Sequence, residues 1–239
     1  MTFEGVSVRL GDSPVLSGLE LAVREGETLV LLGRSGAGKT TALRLVNRLL
    51  LPDEGVVRVE GKETDRWDPI ALRRRMGTVI QEVGLFPHLT VARNVETVPR
   101  LLGWPADRRA ARTAEVLELV GLDGEGIGER YPRELSGGQR QRVGVARALA
   151  AEPHLLLCDE PFGALDPITR GDLQREFRTL VRGSGRTILF VTHDVAEALY
   201  LGDRIALLDG GRLRFLGTTA EFEASGDEVV TRFRGEAAP

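Results

Sequence analysis

Glu27-Thr28-Leu29-Val30-Leu31-Leu32 runs directly into Gly33-Arg34-Ser35-Gly36-Ala37-Gly38-Lys39-Thr40, and Thr41 leads on to Ala42-Leu43-Arg44-Leu45-Val46. The first segment is mostly apolar, follows the turn signal Glu25-Gly26, and reads as a buried parallel strand. The second fits the phosphate-loop pattern G-x-x-x-x-G-K-[ST], and the third reads as a helix. Strand, glycine loop and helix in that order are the context the pattern requires. Glycines let backbone N–H groups approach phosphate oxygens, and a helix N-terminus adds partial positive charge. Lys39 is expected to reach the outer phosphates of a nucleotide and Thr40 to ligate Mg²⁺ through its hydroxyl. The whole stretch from Gly33 through Thr41 is the expected nucleotide-binding segment. A glycine turn that binds nothing is the bland alternative, and the Lys and Thr at the pattern's fixed positions argue against it.

Two further strand ends carry chemistry. Leu155-Leu156-Leu157-Cys158 is a short apolar run that ends in Asp159-Glu160-Pro161. Open parallel sheets place ligands at the carboxyl ends of their strands. Asp159 is suited to hold Mg²⁺, and Glu160 to polarise the water that attacks a γ-phosphate. The alternative is a pair of acids capping a turn before Pro161. Arg186-Thr187-Ile188-Leu189-Phe190-Val191-Thr192 repeats the arrangement with His193-Asp194 at its end, where a neutral imidazole can contact phosphate and orient water. A lone His is more often structural, and only its place at a strand end favours the functional reading. His88 and His154 have no such setting and are assigned no chemistry.

Leu135-Ser136-Gly137-Gly138-Gln139 precedes Arg140-Gln141-Arg142-Val143-Gly144-Val145-Ala146-Arg147-Ala148-Leu149-Ala150, which reads as a helix. Ser136 suits the N-cap, and the two glycines bare backbone amides. This is a second anion grip. One nucleotide offers a single γ-phosphate, so a second grip invites a second chain. Ordinary helix capping is the competing explanation, and paired glycines are costly at a helix start that serves nothing else.

These motifs together resemble the ATP-binding subunits of ABC transporters. The matching residues are Gly33–Thr40, Gln81, Leu135-Ser136-Gly137-Gly138-Gln139, Asp159-Glu160, Ala164-Leu165-Asp166 and His193, in the order and spacing of that family. The resemblance implies an α/β fold: a P-loop NTPase with a RecA-like, mostly parallel core sheet, an antiparallel β subdomain and a helical insertion carrying the signature. It implies ATP and Mg²⁺ as ligands, with Gln81 in a loop that senses the metal and Asp166 in a loop between protomers. It implies a head-to-tail homodimer in which Ser136, Gly137, Gly138 and Gln139 face ATP on the partner's Lys39. Integral membrane permease subunits and a substrate-binding protein are the implied partners, with the chain on the cytoplasmic face. The stretch Val83, Leu85 and Phe86 is where the family receives a helix of the membrane subunit, and local packing is the bland reading of the same residues.

A finer resemblance is to importer subunits for glycine betaine, choline and carnitine. It rests on Asn47-Arg48-Leu49-Leu50, Asp68-Pro69-Ile70-Ala71-Leu72-Arg73, Gly84-Leu85-Phe86-Pro87-His88, Val98-Pro99-Arg100-Leu101-Leu102-Gly103-Trp104 and Phe162–Arg170. An importer for another small solute such as an amino acid, or a non-transport ABC ATPase, is the alternative. No sustained heptads lie between Thr40 and Leu135, which speaks against chromosome and repair members. The chain departs from the family at Leu10, where an aromatic residue often stacks on adenine. Leucine offers no π-face for that role. The short stretch after the last strand-like run is expected to hold no appended regulatory domain.

Composition sets the outer bounds. A net charge of −3 over 239 residues leaves no basic footprint for nucleic acid. The run Arg73-Arg74-Arg75 is expected on a solvated helix face. The lone cysteine, Cys158, excludes an internal disulfide and reads as a buried thiol. No apolar run reaches the ~20 residues that cross a bilayer, and no signal peptide is read at the start. The expected organisation is one ATPase domain over 1–239. Residues 1–85 and 152–217 form the nucleotide-binding core with its β subdomain, 86–151 the helical subdomain, and 218–239 a short tail. From Gly210 a β-turn and short helices are expected.

Overall fold

Buried and exposed side chains alternate irregularly along β1 (Thr2–Leu10) and β2 (Ser13–Ala22), which puts Phe3, Val6 and Val8 beneath one face together with Leu16, Leu19 and Leu21. The next strand, β3 (Thr28–Gly33), is buried at all six positions, as a strand covered on both faces must be. Helix α1 (Lys39–Val46) follows, then β4 (Glu54–Val59), β5 (Lys62–Glu63) and α2 (Pro69–Arg74). The middle of the chain contributes β6 (Met76–Val79), α3 (Val91–Val95), α4 (Thr97–Leu101), α5 (Ala106–Leu119), α6 (Gly137–Leu149), β7 (Leu155–Asp159) and α7 (Pro167–Val181). The last part holds β8 (Thr187–Thr192), α8 (Val195–Leu201), β9 (Arg204–Asp209), β10 (Arg212–Thr218), α9 (Thr219–Ala224) and α10 (Glu228–Glu236). This computed structural model describes residues 1–81, 83–163 and 165–236. Ala164 of the Ala164-Leu165-Asp166 motif and residues 237–239 of the expected tail lie outside the described residues.

The chain packs as two compact units. One comprises Met1–Arg73 and the chain from Gly185 onward, the other Arg74–Ser184. In the first unit, β2-β1-β4-β5 form an antiparallel sheet, with shifts of register along β1. A second layer runs β10-β9-β3-β8, parallel between β9, β3 and β8 and antiparallel at β10. Its core is Leu29 to Leu32, Leu45, Ile188 to Val191 and Ile205 to Leu208. The expected turn at Gly210 is present, but the chain after it returns as β10 before the short helices begin. The alternation in Arg212–Thr218 is brief, and pairing with β9 decides its conformation.

In the second unit β6 and β7 pair in parallel, with Val79 beside Cys158. Val91, Val95, Val116, Val143, Leu157 and Cys158 are fully buried, so the lone thiol sits in the core as the sequence indicates. Arg112 of α5 is also buried and donates to the carbonyls of Leu149 (2.9 Å) and Ala150 (3.4 Å) at the C-terminal end of α6. Arg73 is exposed as expected but has a further task in the first unit. Its guanidinium donates to the carbonyls of Asn47 (3.0 Å) and Arg48 (2.7 Å), closing the end of α1. Among the described residues no helix is long and apolar enough to cross a membrane.

Candidate functional site

The phosphate loop turns from β3 into α1 in the first unit. Gly38 precedes α1 with φ of 97°, and a Cβ there would lie 2.6 Å from Leu16 Cδ2 and 2.8 Å from the Val15 carbonyl oxygen. Backbone conformation and the β2 wall both demand glycine. Its N-cap is a glycine, so no N-cap side chain closes the start of α1. Lys39 is buried, and its ammonium donates to the carbonyls of Gly33 (2.7 Å) and Arg34 (3.0 Å). This draws the loop into a ring around a positive charge. Arg34, Ser35 and Gly36 are exposed, Ala37, Gly38 and Thr41 are buried, and Thr40 is half-buried.

His193 emerges beside this loop. β3 and β8 are parallel with Leu32 opposite Thr192, so Gly33 and His193 leave adjacent strands at the same end. His193 is exposed, and the turn that carries it is fixed on its far side. Asp194 caps α8 by accepting from the Glu197 N–H (3.1 Å), and its own N–H donates to Thr192 Oγ1 (3.0 Å). Leu10 ends β1 and is half exposed, at 50%.

The second unit carries the acids and the signature. Asp159 ends β7, and both it and Glu160 are half-buried. Glu160 has φ of 44°, in the left-handed region that a non-glycine residue enters at a cost of about 1–3 kcal/mol. Its carbonyl accepts from the Gly163 N–H (3.2 Å). Strain of this kind collects at functional sites, where surrounding structure holds a side chain in a required direction.

Ser136 caps α6 as expected. Its hydroxyl accepts from the Gln139 N–H (3.2 Å), and its own N–H donates to Gln139 Oε1 (2.9 Å), a complete capping box. Asp166 caps α7 in the same manner, accepting from the Thr169 N–H (3.1 Å). Hydrogen bonds from the Thr169 side chain and then its N–H hold the Asp166 carboxyl below the usual aspartate range. The two caps meet at Thr169, because a Cβ on Gly138 would lie 2.8 Å from Thr169 Cγ2. Gln81 is exposed just beyond β6.

Residues 16–163 match the ABC transporter family. The chain belongs to that family. It is 48% identical over 227 residues to the glycine betaine/carnitine/choline transport ATP-binding protein OpuCA of Bacillus subtilis, covering 95% of this chain and 60% of that one. It is 50% identical over 211 residues to the glycine betaine uptake system ATP-binding protein YehX of Escherichia coli, covering 88% of this chain and 68% of that one. The fold matches, at a TM-score of 0.80 and 33% identity, a dimeric structure of a post-hydrolysis state of the ATP-binding cassette MJ0796 bound to ADP and Pi. That match covers 91% of this chain and 98% of the cassette. The chain thus spans about 60% of the length of OpuCA.

The ABC architecture accounts for the two-layered first unit and for a P-loop fold built on parallel strands. The residues expected to hold Mg²⁺, Thr40 in the first unit and Gln81 and Asp159 in the second, each offer oxygen, with one carboxylate among them. That fits a Mg²⁺ ion that arrives with nucleotide phosphates and keeps part of its water shell. Among the described residues no group of three or more His, Cys, Asp or Glu side chains is gathered to hold a metal by itself.

Two residues of the second unit escaped the sequence reading. Arg147 of α6 donates to the carbonyls of Val83 (2.6 Å) and Gly84 (2.7 Å), just beyond Gln81, and burial pulls its guanidinium below the ordinary arginine value. Gly144 admits the same segment, since a Cβ there would stand 2.5 Å from Val83 Cγ1. Asn94, fully buried, accepts from the Phe86 N–H (2.7 Å) and donates to the carbonyls of Phe86, Leu89 and Thr90. It shapes the loop on which Phe86 stands 42% exposed. A solitary Asn inside an apolar helical pattern was the available signal for it. For Arg147 there was none, because arginine recurs along α6.

Proposed function

We propose that this chain is the ATP-hydrolysing subunit of an importer for glycine betaine, choline or carnitine. The phosphate loop carries the ATPase part of this reading: a buried Lys39 inside a loop whose helix starts without a side-chain cap. The names of relatives at 48% and 50% identity support the solute class.

In this reading Lys39 and the first amides of α1 neutralise the charge that develops on the phosphates. Mg²⁺, when bound, screens the phosphate oxygens, and Thr40, Gln81 and Asp159 are the residues that would hold it. Glu160 takes the general-base position toward the attacking water, and His193 orients that water and the γ-phosphate. Ser136, Gly137, Gly138 and Gln139 grip ATP bound to a second copy, and Asp166 signals between the copies. The MJ0796 dimer supports the pairing. Permease subunits, fed by a substrate-binding protein, place the pair on the cytoplasmic face of the membrane. The exposed ring of Phe86 and the half-buried Val83 and Leu85 form the surface offered to them.

Glu160→Gln tests the catalytic assignment. It is expected to lower ATP turnover at least about 100-fold, the low end of general-base catalysis, while ATP binding persists and a dimer accumulates on size exclusion. Substantial residual hydrolysis moves the base elsewhere. Uptake of labelled betaine, choline and carnitine into vesicles holding the assembled transporter tests the solute class, and ATP-driven uptake of none of the three overturns it.

A further inference from the structure

The last helix of the first unit reaches the phosphate loop. α10 is firmly seated: Asp227 accepts from the N–H groups of Val229 (2.8 Å) and Val230 (3.1 Å) at its start. Arg234 donates to the carbonyls of Ser225 (2.6 Å) and Glu223, and Val230 and Phe233 are buried beneath the helix. Arg232 pairs with Asp209 at 3.5 Å, at the end of β9. That strand runs beside β3 with Leu208 opposite Gly33, so α10 is anchored next to the start of the phosphate loop. From this seat the Phe233 ring meets the loop's second residue, with the Arg34 guanidinium carbon 5.8 Å from the ring centroid.

We propose that Phe233 is a positioning residue for ATP. Its ring holds the Arg34 guanidinium at the phosphate loop, and the C-terminal helix thereby sets how strongly the loop draws in a triphosphate. The proposal rests on reading Gly33–Thr40 as the ATP loop. The physical grounds are two. A guanidinium within about 6 Å of an aromatic face is held there by the ring quadrupole. An arginine already restricted to the loop loses less rotamer freedom when phosphates arrive, so its charge costs less to deploy. Neither effect needs Phe233 to touch the nucleotide. Both predict a change in affinity rather than in the chemical step.

Equilibrium titration with ATP·Mg²⁺ and steady-state hydrolysis test this in the full chain. Phe233→Leu keeps an apolar side chain of most of that volume but removes the π-face. It is expected to raise the Kd and KM for ATP about two- to fivefold, the range set by exposed cation–π pairs, with kcat unchanged. Phe233→Tyr, which keeps the face, is expected to restore parental affinity. The deciding arm is a double-mutant cycle. In an Arg34→Met background Phe233→Leu should weaken ATP binding no further, whereas a purely structural role would cost the same factor in both backgrounds. Equal losses in both backgrounds overturn the proposal. So does an unchanged Kd in the single variant Arg34→Met, which leaves α10 untouched and needs no altered helix to fold. Lys39→Ala, titrated alongside, separates the two readings: if it retains ATP, the loop assignment has failed rather than the platform.

Discussion

Helix α1 begins behind Gly38, at φ of 97° and without a side-chain cap, whereas α6 begins behind Ser136, whose hydroxyl and N–H close a capping box with Gln139. Both starts are glycine-rich and both suit an anion, yet their local hydrogen-bond accounts differ. At α1 a buried lysine donates to the loop's own carbonyls, and the glycine N-cap brings no side chain to the helix start. At α6 the third amide of the helix is already met by Ser136. The comparison separates two uses of glycine. Gly38 is demanded by conformation and by the wall of β2, Gly138 by Thr169 on α7, and Gly137 by neither, since only Arg140 Nη2 lies within 4.0 Å of its Cβ position. A glycine with no steric reason is the one whose bare backbone an incoming ligand would use.

The largest expected effect lies at the first of these. Gly38→Ala should destabilise the fold by about 2–4 kcal/mol in urea titration, from left-handed strain plus a clash with backbone and Leu16. ATP binding should be lost with it. A stable variant that binds ATP would break the contrast between the two helix starts. Gly138→Ala comes next. Overcrowding against Thr169 outweighs the gain in helix propensity, for a net loss of about 0.5–2 kcal/mol. Thr169→Ser, which deletes the clashing methyl, should recover most of it in the double variant. Ser136→Ala is expected to cost about 1 kcal/mol by thermal or urea unfolding, the usual worth of such a cap. Gly137→Ala should leave stability unchanged or raise it by up to about 1 kcal/mol, while slowing hydrolysis under conditions where the protein dimerises. Full hydrolysis by Gly137→Ala would reduce the signature to a helix cap.

The same contrast marks how far local reading reaches. The phosphate loop was legible because its strand, turn and helix are contiguous and each obeys a short-range rule: apolar run, glycine, helical spacing. The strands before Asp159 and His193, and the Ser136 cap, were legible for the same reason. What the sequence did not show at Ser136 is the reciprocal bond from its N–H to Gln139 Oε1, which completes the capping box and satisfies part of the helix start internally. Arg73 was placed correctly at the surface, but its grip on the carbonyls of Asn47 and Arg48 depends on where α1 ends in space. β10 was missed because four alternating residues, Arg212 to Phe215, carry too little pattern until β9 lies beside them.

From sequence alone came the family, the parallel-strand core and the set of residues suited to phosphate, metal and water, because each depends on neighbours a few positions away. Only the folded chain assigned Lys39 to the loop carbonyls, Gly138 to Thr169, Arg147 to Val83 and Gly84, and Phe233 to Arg34. The Lys39 carbonyls are close in sequence, but the other partners are separated by intervals that no periodicity spans, and whether any of them touch is fixed by packing, where volume and hydrogen-bond demand are settled for all neighbours at once.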